Sequence, residues 1–179
     1  KPMTLIFIFI STIVISLVSL IGVVFLGMKE EETQRLIYVL VSFATGSLIG
    51  GALLHLLPEA VQSGPAAFFN TILGIFVFFI LEKILYWRHC HKGHCEVHNF
   101  TYLNLVGDGF HNFIDGIVIG SSFVVNPVLG LTTSLAILFH EIPQELGDFS
   151  ILIYGGLKKS KALLYNLLSA LSCIVGGVI

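Results

Sequence analysis

An all-α bundle of membrane-spanning helices is the fold that this sequence predicts, and three observations predict it. Of 179 residues, 55% are hydrophobic and only 11% charged, with a mean hydropathy of +0.94, whereas a water-soluble domain carries about a quarter charged residues. The apolar residues fall into six continuous Leu/Ile/Phe-rich runs long enough to cross a bilayer, not into the alternating segments of about ten residues that a membrane barrel requires. The basic residues alternate with the runs: Lys29 and Arg35 flank the first loop, Lys83, Arg88 and Lys92 the third, Lys158, Lys159 and Lys161 the fifth, and the second and fourth loops have none. By the positive-inside rule the odd loops are cytoplasmic and the amino terminus lies outside.

The first run, residues 4–28, lacks a small-residue cleavage site and is followed by a second run, so it is a span and not a leader. The second, residues 35–57, carries Gly46-x-x-x-Gly50 and Gly51, a spacing that lets a neighbouring backbone approach closely. It ends in His55-Leu-Leu-Pro-Glu59, where His55 and Glu59 stand four apart on one helix face at the outer surface, as a docking point for an entering cation or as two polar residues at a wet interface. The third run, residues 66–87, is Phe-rich, ends in Tyr86 and Trp87 at the headgroup level, and reads as scaffold. After it, residues 89–98 offer His89, Cys90, His91, His94, Cys95 and His98. Such a loop can capture zinc loosely, although its spacing matches no structural finger and a solvated loop is the alternative.

The fourth run, residues 101–125, and the fifth, residues 129–157, hold the unusual chemistry. Between Gly93 and Leu157 there is no lysine or arginine, yet Asp108, Asp115, Glu141, Glu145 and Asp148 lie in lipid-length segments. An ionised carboxylate near the bilayer centre costs a few kcal/mol, so such residues face a cavity and mark an ion path. Asn104, Asp108, His111 and Asp115 form one helical stripe with Asn112 beside it; His140, Gln144 and Asp148 form another, with Glu141 and Glu145 in a parallel row. On antiparallel helices this sets His111, Asp115, His140, Glu141 and Gln144 near the midplane as a binding site. Asn104, Asp108, Glu145 and Asp148 then line an exit toward the cytoplasm. Pro143 is expected to break or kink its helix, and Gly107, Gly109, Gly116 and Gly120 to loosen or thin theirs. Imidazole plus carboxylate, without nearby Met or Cys, suits zinc best, with iron, manganese, cobalt and cadmium as divalent alternatives.

The sixth run, residues 161–179, stops inside apolar sequence, and the chain opens with Lys-Pro before Met3, so the single domain 1–179 is expected to be a fragment whose last span is incomplete. Cys173 reads as a small core residue. No phosphate-binding loop is present, so neither nucleotide nor nucleic acid is an expected partner.

Gly107-Asp-Gly-Phe-His-Asn-Phe-Ile-Asp-Gly116 followed by His140-Glu-Ile-Pro-Gln-Glu-Leu-Gly-Asp-Phe149 resembles the zinc- and iron-regulated transporter-like (ZIP) family, in its histidine-rich branch and most similar to microbial members. The resemblance implies an eight-helix homodimeric transporter, not an enzyme, in a plasma or inner membrane, bringing divalent metals into the cytosol through a binuclear centre. It implies that His111, Asp115, His140 and Gln144 line a first metal position and Asn112, Glu141 and Gln144 a second. Three other readings stay open. An intramembrane metalloprotease would use His140-Glu141 as the start of His-Glu-x-x-His, but residue 144 is Gln and residue 143 is Pro. A proton-coupled exporter or exchanger would differ in flux direction. A structural or metal-sensing membrane protein would survive loss of His111 or His140 without loss of uptake.

Overall fold

A computed structural model describes residues 2–62, 64–89 and 97–179, and among the described residues every regular element is helical. In order these are α1 (Pro2–Val18), continued by a 3-10 stretch (Ser19–Gly27); α2 (Glu30–Gly50), continued by a π-helical turn (Gly51–Leu56) and α3 (Leu57–Gln62); α4 (Ala66–His89); α5 (Asn99–Val125); α6 (Pro127–Tyr154); α7 (Lys159–Ala170); and α8 (Ser172–Val178). Four helical stretches are long and apolar enough to cross a membrane by length and composition, namely Met3–Gly27, Glu31–Gln62, Ala66–Ile84 and Lys159–Val178. They coincide with the first, second, third and sixth predicted runs. At 27 and 28 residues, α5 and α6 also exceed the spanning length, and their polar stripes are what lower their apolar character.

The departures from plain α-helix have local causes. Pro58 has no amide to give to the carbonyl of Leu54, and in the preceding turn the Leu57 amide reaches back to the Ala52 carbonyl in the π pattern. At the end of α1, Ser19 Oγ donates to the Ser16 carbonyl at 2.7 Å, while Asn166 Nδ2 donates to the Ser19 carbonyl at 3.4 Å. Side chains thus draw carbonyls out of the regular ladder where the winding tightens. The α7–α8 break has a similar origin. Ser16 Oγ takes the Ala170 carbonyl at 2.8 Å, and the Ile174 amide, displaced from that acceptor, bonds Leu171 at 3.1 Å. Between α5 and α6, Asn126 caps the new helix by accepting from the Leu129 amide at 2.8 Å, with Pro127 in the first turn.

Two apolar clusters bracket a polar layer along α5 and α6. On one side Ile8, Ile15, Ile119, Phe123, Ile137 and Cys173 pack together; on the other, Phe25, Ile37, Phe149, Leu152, Ile153, Leu157 and Ala162 do. Phe25 and Phe149 meet with ring centroids 5.2 Å apart. Because α6 contributes Ile137 to the first cluster and Phe149 to the second, residues 140–148 lie between them. The helices that hold this layer approach unusually closely. A Cβ at Gly116 would run into the Cys173 carbonyl, and one at Gly120 would stand 3.3 Å or less from the carbonyl group of Gly177. This thinning of α5 agrees with the expectation for Gly116 and Gly120, whereas Gly107 has open space around it.

Two expectations need correction. A methyl group added at Gly46, Gly50 or Gly51 would find nothing within 4 Å; α2 instead meets α6 at Ala44, whose Cβ lies where a side chain on Gly147 would go. Pro143 does not interrupt α6, which continues from Pro127 to Tyr154. The flanking turns supply enough hydrogen bonds to carry the helix through one missing amide.

Candidate metal centre

His111 and Asp115 stand one turn apart on α5, and His140 and Glu141 are neighbours on α6, so the antiparallel contact of two helices brings four potential ligands to one place. One donor atom from each lies within 4.8 Å of those of the other three. His111 Nε2 is 3.6 Å from Asp115 Oδ2 and 3.4 Å from Glu141 Oε1; His140 Nε2 is 3.1 Å from Asp115 Oδ2 and 3.7 Å from Glu141 Oε1. An ion bound at about 2.0–2.1 Å by four tetrahedral nitrogen and oxygen ligands separates them by about 3.3–3.4 Å. The observed separations bracket that figure. The rings of His111 and His140 are set edge to face at 5.5 Å, so both nitrogens converge without stacking.

Charge and hydrogen bonding point the same way. Glu141 is fully buried, and neither of its carboxylate oxygens has a hydrogen-bond partner; His111 Nε2 is likewise unpartnered. These two groups sit 3.4 Å apart yet are not aligned to bond each other, which is the arrangement of two ligands directed at a common centre. Two carboxylates and two neutral imidazoles carry a charge of minus two, which a divalent cation cancels. The imidazoles are 42% and 46% exposed as side chains, against 11% for Asp115 and none for Glu141. The centre is therefore a cup with an acidic floor and an accessible imidazole rim.

Of the six residues expected as metal ligands, the structure brings together His111, Asp115, His140 and Glu141. Asn112 and Gln144, whose amides are not among the donor types grouped there, lie close by in sequence on the same two helices. Asn112 is buried, and its Nδ2 donates to Asp108 Oδ1 at 2.8 Å and to the Asp108 carbonyl at 3.3 Å. Gln144 lines a cavity of about 150 Å³ between α2 and α6, together with Phe43, Ala44, Leu48, His140, Pro143 and Asp148. One end of that cavity is thus a metal-centre residue and the other an acid of the inner set.

The acids of the inner set, expected as an exit, are buried and bonded to neutral side chains. Asn104 Nδ2 donates to Asp148 Oδ1 at 2.9 Å. Ser169 Oγ donates to Asp108 Oδ2, and Asn166 Nδ2 donates to Glu145 Oε2. Asp108, Glu145 and Asp148 are at most 5% exposed. Sequence reasoning missed Asn166. A single amide in the otherwise apolar face of the sixth run, three residues before Ser169, was the available signal. It also missed Ser16 and Ser19, whose hydroxyls are ordinary in membrane helices and give no warning.

Of the proposed entrance, Glu59 is exposed in the first turn of α3, while the side chain of His55 lies outside the described residues. In the histidine- and cysteine-rich loop, Cys90, His91, His94 and Cys95 lie outside the described residues, as does the side chain of His89. His98 is described; it is exposed, precedes α5 and stacks on Phe100 at 5.5 Å, while its amide donates to the Gly155 carbonyl at 2.8 Å.

Residues 88–179 match the family model described as ZIP Zinc transporter. Over 152 residues the chain is 37% identical to "Zinc transporter ZIP13" of Pongo abelii, covering 76% of this chain and 45% of that protein. It is 32% identical to "Zinc transporter YKE4" of Saccharomyces cerevisiae, covering 93% and 56% respectively. With "Metal cation symporter ZIP14" of Xenopus tropicalis it shares 29% identity, covering 94% and 53%. The chain spans about half the length of these curated relatives. No solved structure matches it.

Proposed function

The chain belongs to the ZIP zinc transporter family, and on that premise we propose that its full-length protein carries divalent transition-metal ions, zinc foremost, across a membrane into the cytosol. The observation that carries the reading is the convergence of His111, Asp115, His140 and Glu141, with cross-helix donor separations of 3.4 and 3.1 Å. Two imidazole nitrogens favour zinc, iron, manganese, cobalt or cadmium over an all-oxygen calcium or magnesium cage. The names of the relatives, zinc transporters and a metal cation symporter, agree with that class.

In the proposed cycle a hydrated ion is gathered near His55 and Glu59 on the outside. It exchanges its water for the two imidazoles and the carboxylates of Asp115 and Glu141. Gln144, in the cavity beside His140, hands it toward Asp108, Glu145 and Asp148, and relative motion of packed helices opens the inner layer to the cytosol. A second metal position using Asn112, Glu141 and Gln144 is supported by the Asn112 Oδ1 and Glu141 oxygens, which are buried and without a hydrogen-bond partner. The loop from His89 to His98 collects ions on the cytoplasmic side. A homodimer of six or more spans in a plasma or inner membrane, with the amino terminus outside, completes the proposal. Neither the chain nor its site has a role in chemical catalysis.

The test is zinc uptake into sealed vesicles containing the full-length protein. Inward flux that is lost in His111→Ala and His140→Ala supports the proposal. Outward flux, or uptake that survives both substitutions, refutes it.

A further inference from the structure

One lysine fastens three elements at the end of the bundle where α6 gives way to α7. Lys159, in the first turn of α7, donates through Nζ to the Met28 carbonyl at 3.1 Å and to Thr33 Oγ1 at 2.9 Å. Met28 ends the 3-10 continuation of α1. Thr33 is fully buried in the first turn of α2, and its own hydroxyl proton goes to the Lys29 carbonyl at 2.9 Å, which leaves its oxygen as an acceptor for the ammonium. Packing alone does not explain this placement. A cation in the first turn of a helix opposes the helix dipole, and taking it partly out of water costs free energy; a leucine would pack there with neither cost. Both are offset by acceptors on two other elements, one of them at the carbonyl end of a helical stretch, where positive charge is favourable. α7 and α1 do not need the lysine to stay together, since Asn166 Nδ2 donates to the Ser19 carbonyl and Ser16 Oγ to the Ala170 carbonyl deeper in the bundle. What the ammonium adds is α2.

We propose that Lys159 is a positioning residue for transport: it clasps α2 to α7, and the clasp must open for the inner acids to release an ion. The inference rests on the transport reading, since it names the contact that controls a step of the same cycle. The two helices that Lys159 joins carry different parts of the path. α2 supplies the wall of Phe43, Ala44 and Leu48 to the cavity beside His140, and α7 supplies Asn166 and Ser169, which bond Glu145 and Asp108. Farther along α2, about 16 Å from Thr33, Ala44 meets α6 where Gly147 leaves room. Two small apolar surfaces can shift past one another without breaking a hydrogen bond. The clasp cannot: separating α2 from α7 breaks a charge-assisted bond, an effect of about tenfold or more on an equilibrium between two arrangements.

The experiment uses the full-length protein with its native cysteines replaced, carrying Thr33→Cys and Lys159→Cys, reconstituted in vesicles and bridged by a short bis-methanethiosulfonate. Bridging should leave zinc affinity within about twofold, because the metal centre is remote from the clasp, and should slow zinc uptake by about tenfold or more. Reductant cleaves the bridge and should restore uptake, a reversal that misfolding cannot imitate. Uptake at the unbridged rate while the bridge is intact overturns the clasp. A second measurement does not depend on the bridge: the distance between spin labels at two exposed positions, Arg35 on α2 and Leu164 on α7, read by double electron–electron resonance. Lys159→Met, which keeps the length and loses the donors, should raise the population of longer separations about tenfold, whereas Lys159→Arg should retain the wild-type distribution. An unchanged distribution in Lys159→Met overturns the clasp as well. Zinc uptake by the wild-type protein in the same vesicles separates the two failures: uptake by wild type with an ineffective bridge sinks only the clasp, and no uptake by wild type sinks the transport reading.

Discussion

Replacing Glu141 by Gln should have opposite effects on the metal-free and metal-bound protein. Glu141 is fully buried with both oxygens unpartnered, and its one close approach is to two imidazole nitrogens at 3.4 and 3.7 Å. Without metal, the charge is a burden: an unsatisfied buried acceptor costs about 1–3 kcal/mol, more if charged. The amide keeps the shape and removes the charge, so the apo protein should become more stable by about 1 kcal/mol or more. With metal, the sign reverses. A unit charge about 4 Å from another interacts by about 4 kcal/mol at an effective dielectric of 20, and doubly so with a divalent ion. The several kcal/mol needed to desolvate the carboxylate offset part of this gross term, leaving a net loss of about 3 kcal/mol, or roughly a hundredfold in zinc affinity. The assay is thermal unfolding of the full-length protein with chelator and with zinc. At a zinc concentration of about one hundred wild-type dissociation constants, binding stabilises the wild type by about 2.7 kcal/mol and the variant by about 0.4 kcal/mol. An apo variant less stable than wild type, or an unchanged zinc increment, would refute the assignment of Glu141 as an uncompensated ligand.

Three further outcomes rest on the same geometry. Asp115→Asn should weaken zinc binding more than Asp148→Asn, because Asp115, unlike Asp148, lies against both imidazoles; equal affinities by titration calorimetry would contradict the placement of the centre. Zinc affinity should fall as pH falls, since imidazole must be unprotonated and carboxylates ionised to bind, with up to about tenfold loss per pH unit for each proton displaced; His140→Ala should make that dependence shallower. Gly116→Ala should destabilise by about 1–3 kcal/mol because the methyl meets the Cys173 carbonyl of α8, whereas Gly46→Ala, with open space, should stay within about 0.5 kcal/mol by thermal unfolding.

The all-α character and the pairing of two acidic helices were legible in the sequence because both rest on spacing along one chain. Apolar runs give helices, and His111 with Asp115, or His140 with Asp148, share a face by helical periodicity alone. What sequence could not supply was rotation about the helix axis within a stripe several residues wide. His140 from one row of α6 and Glu141 from the parallel row both reach the centre, while Gln144 lines a cavity shared with His140, Phe43 and Leu48. Helical winding was hidden for a related reason. The break between α7 and α8 depends on Ser16, more than 150 positions away along the chain, and no local propensity registers such a bond. The glycines show the limit most plainly: Gly46-x-x-x-Gly50 has the approved spacing and meets nothing, while Gly116 and Gly120 have the same spacing and carry the close contact with α8.

In the proposed cycle, the distribution of acids would let the same pair of helices hold an ion and let it go. Asp108 stands seven residues from Asp115, and Asp148 seven from Glu141, so on two antiparallel helices both inner acids lie on the same side of the centre, by about 10.5 Å along the axis. Had all the charge converged on one point, a divalent ion would be trapped there; spread over a single distant pair, it would face a gap that no side chain spans. Glu145, one turn in from Glu141 and about 6 Å along the axis, divides the distance, and Gln144 borders the cavity that joins His140 to Asp148. Lengthening this spacing by moving the intermediate acid away, as in Glu145→Ala with the outer four ligands intact, should therefore weaken zinc binding less than Glu141→Gln does, since the lost carboxylate acts only from about 6 Å along the axis, yet slow uptake severely. Uptake at the wild-type rate in that variant would show that ions reach the cytosol by a route that does not pass the inner layer.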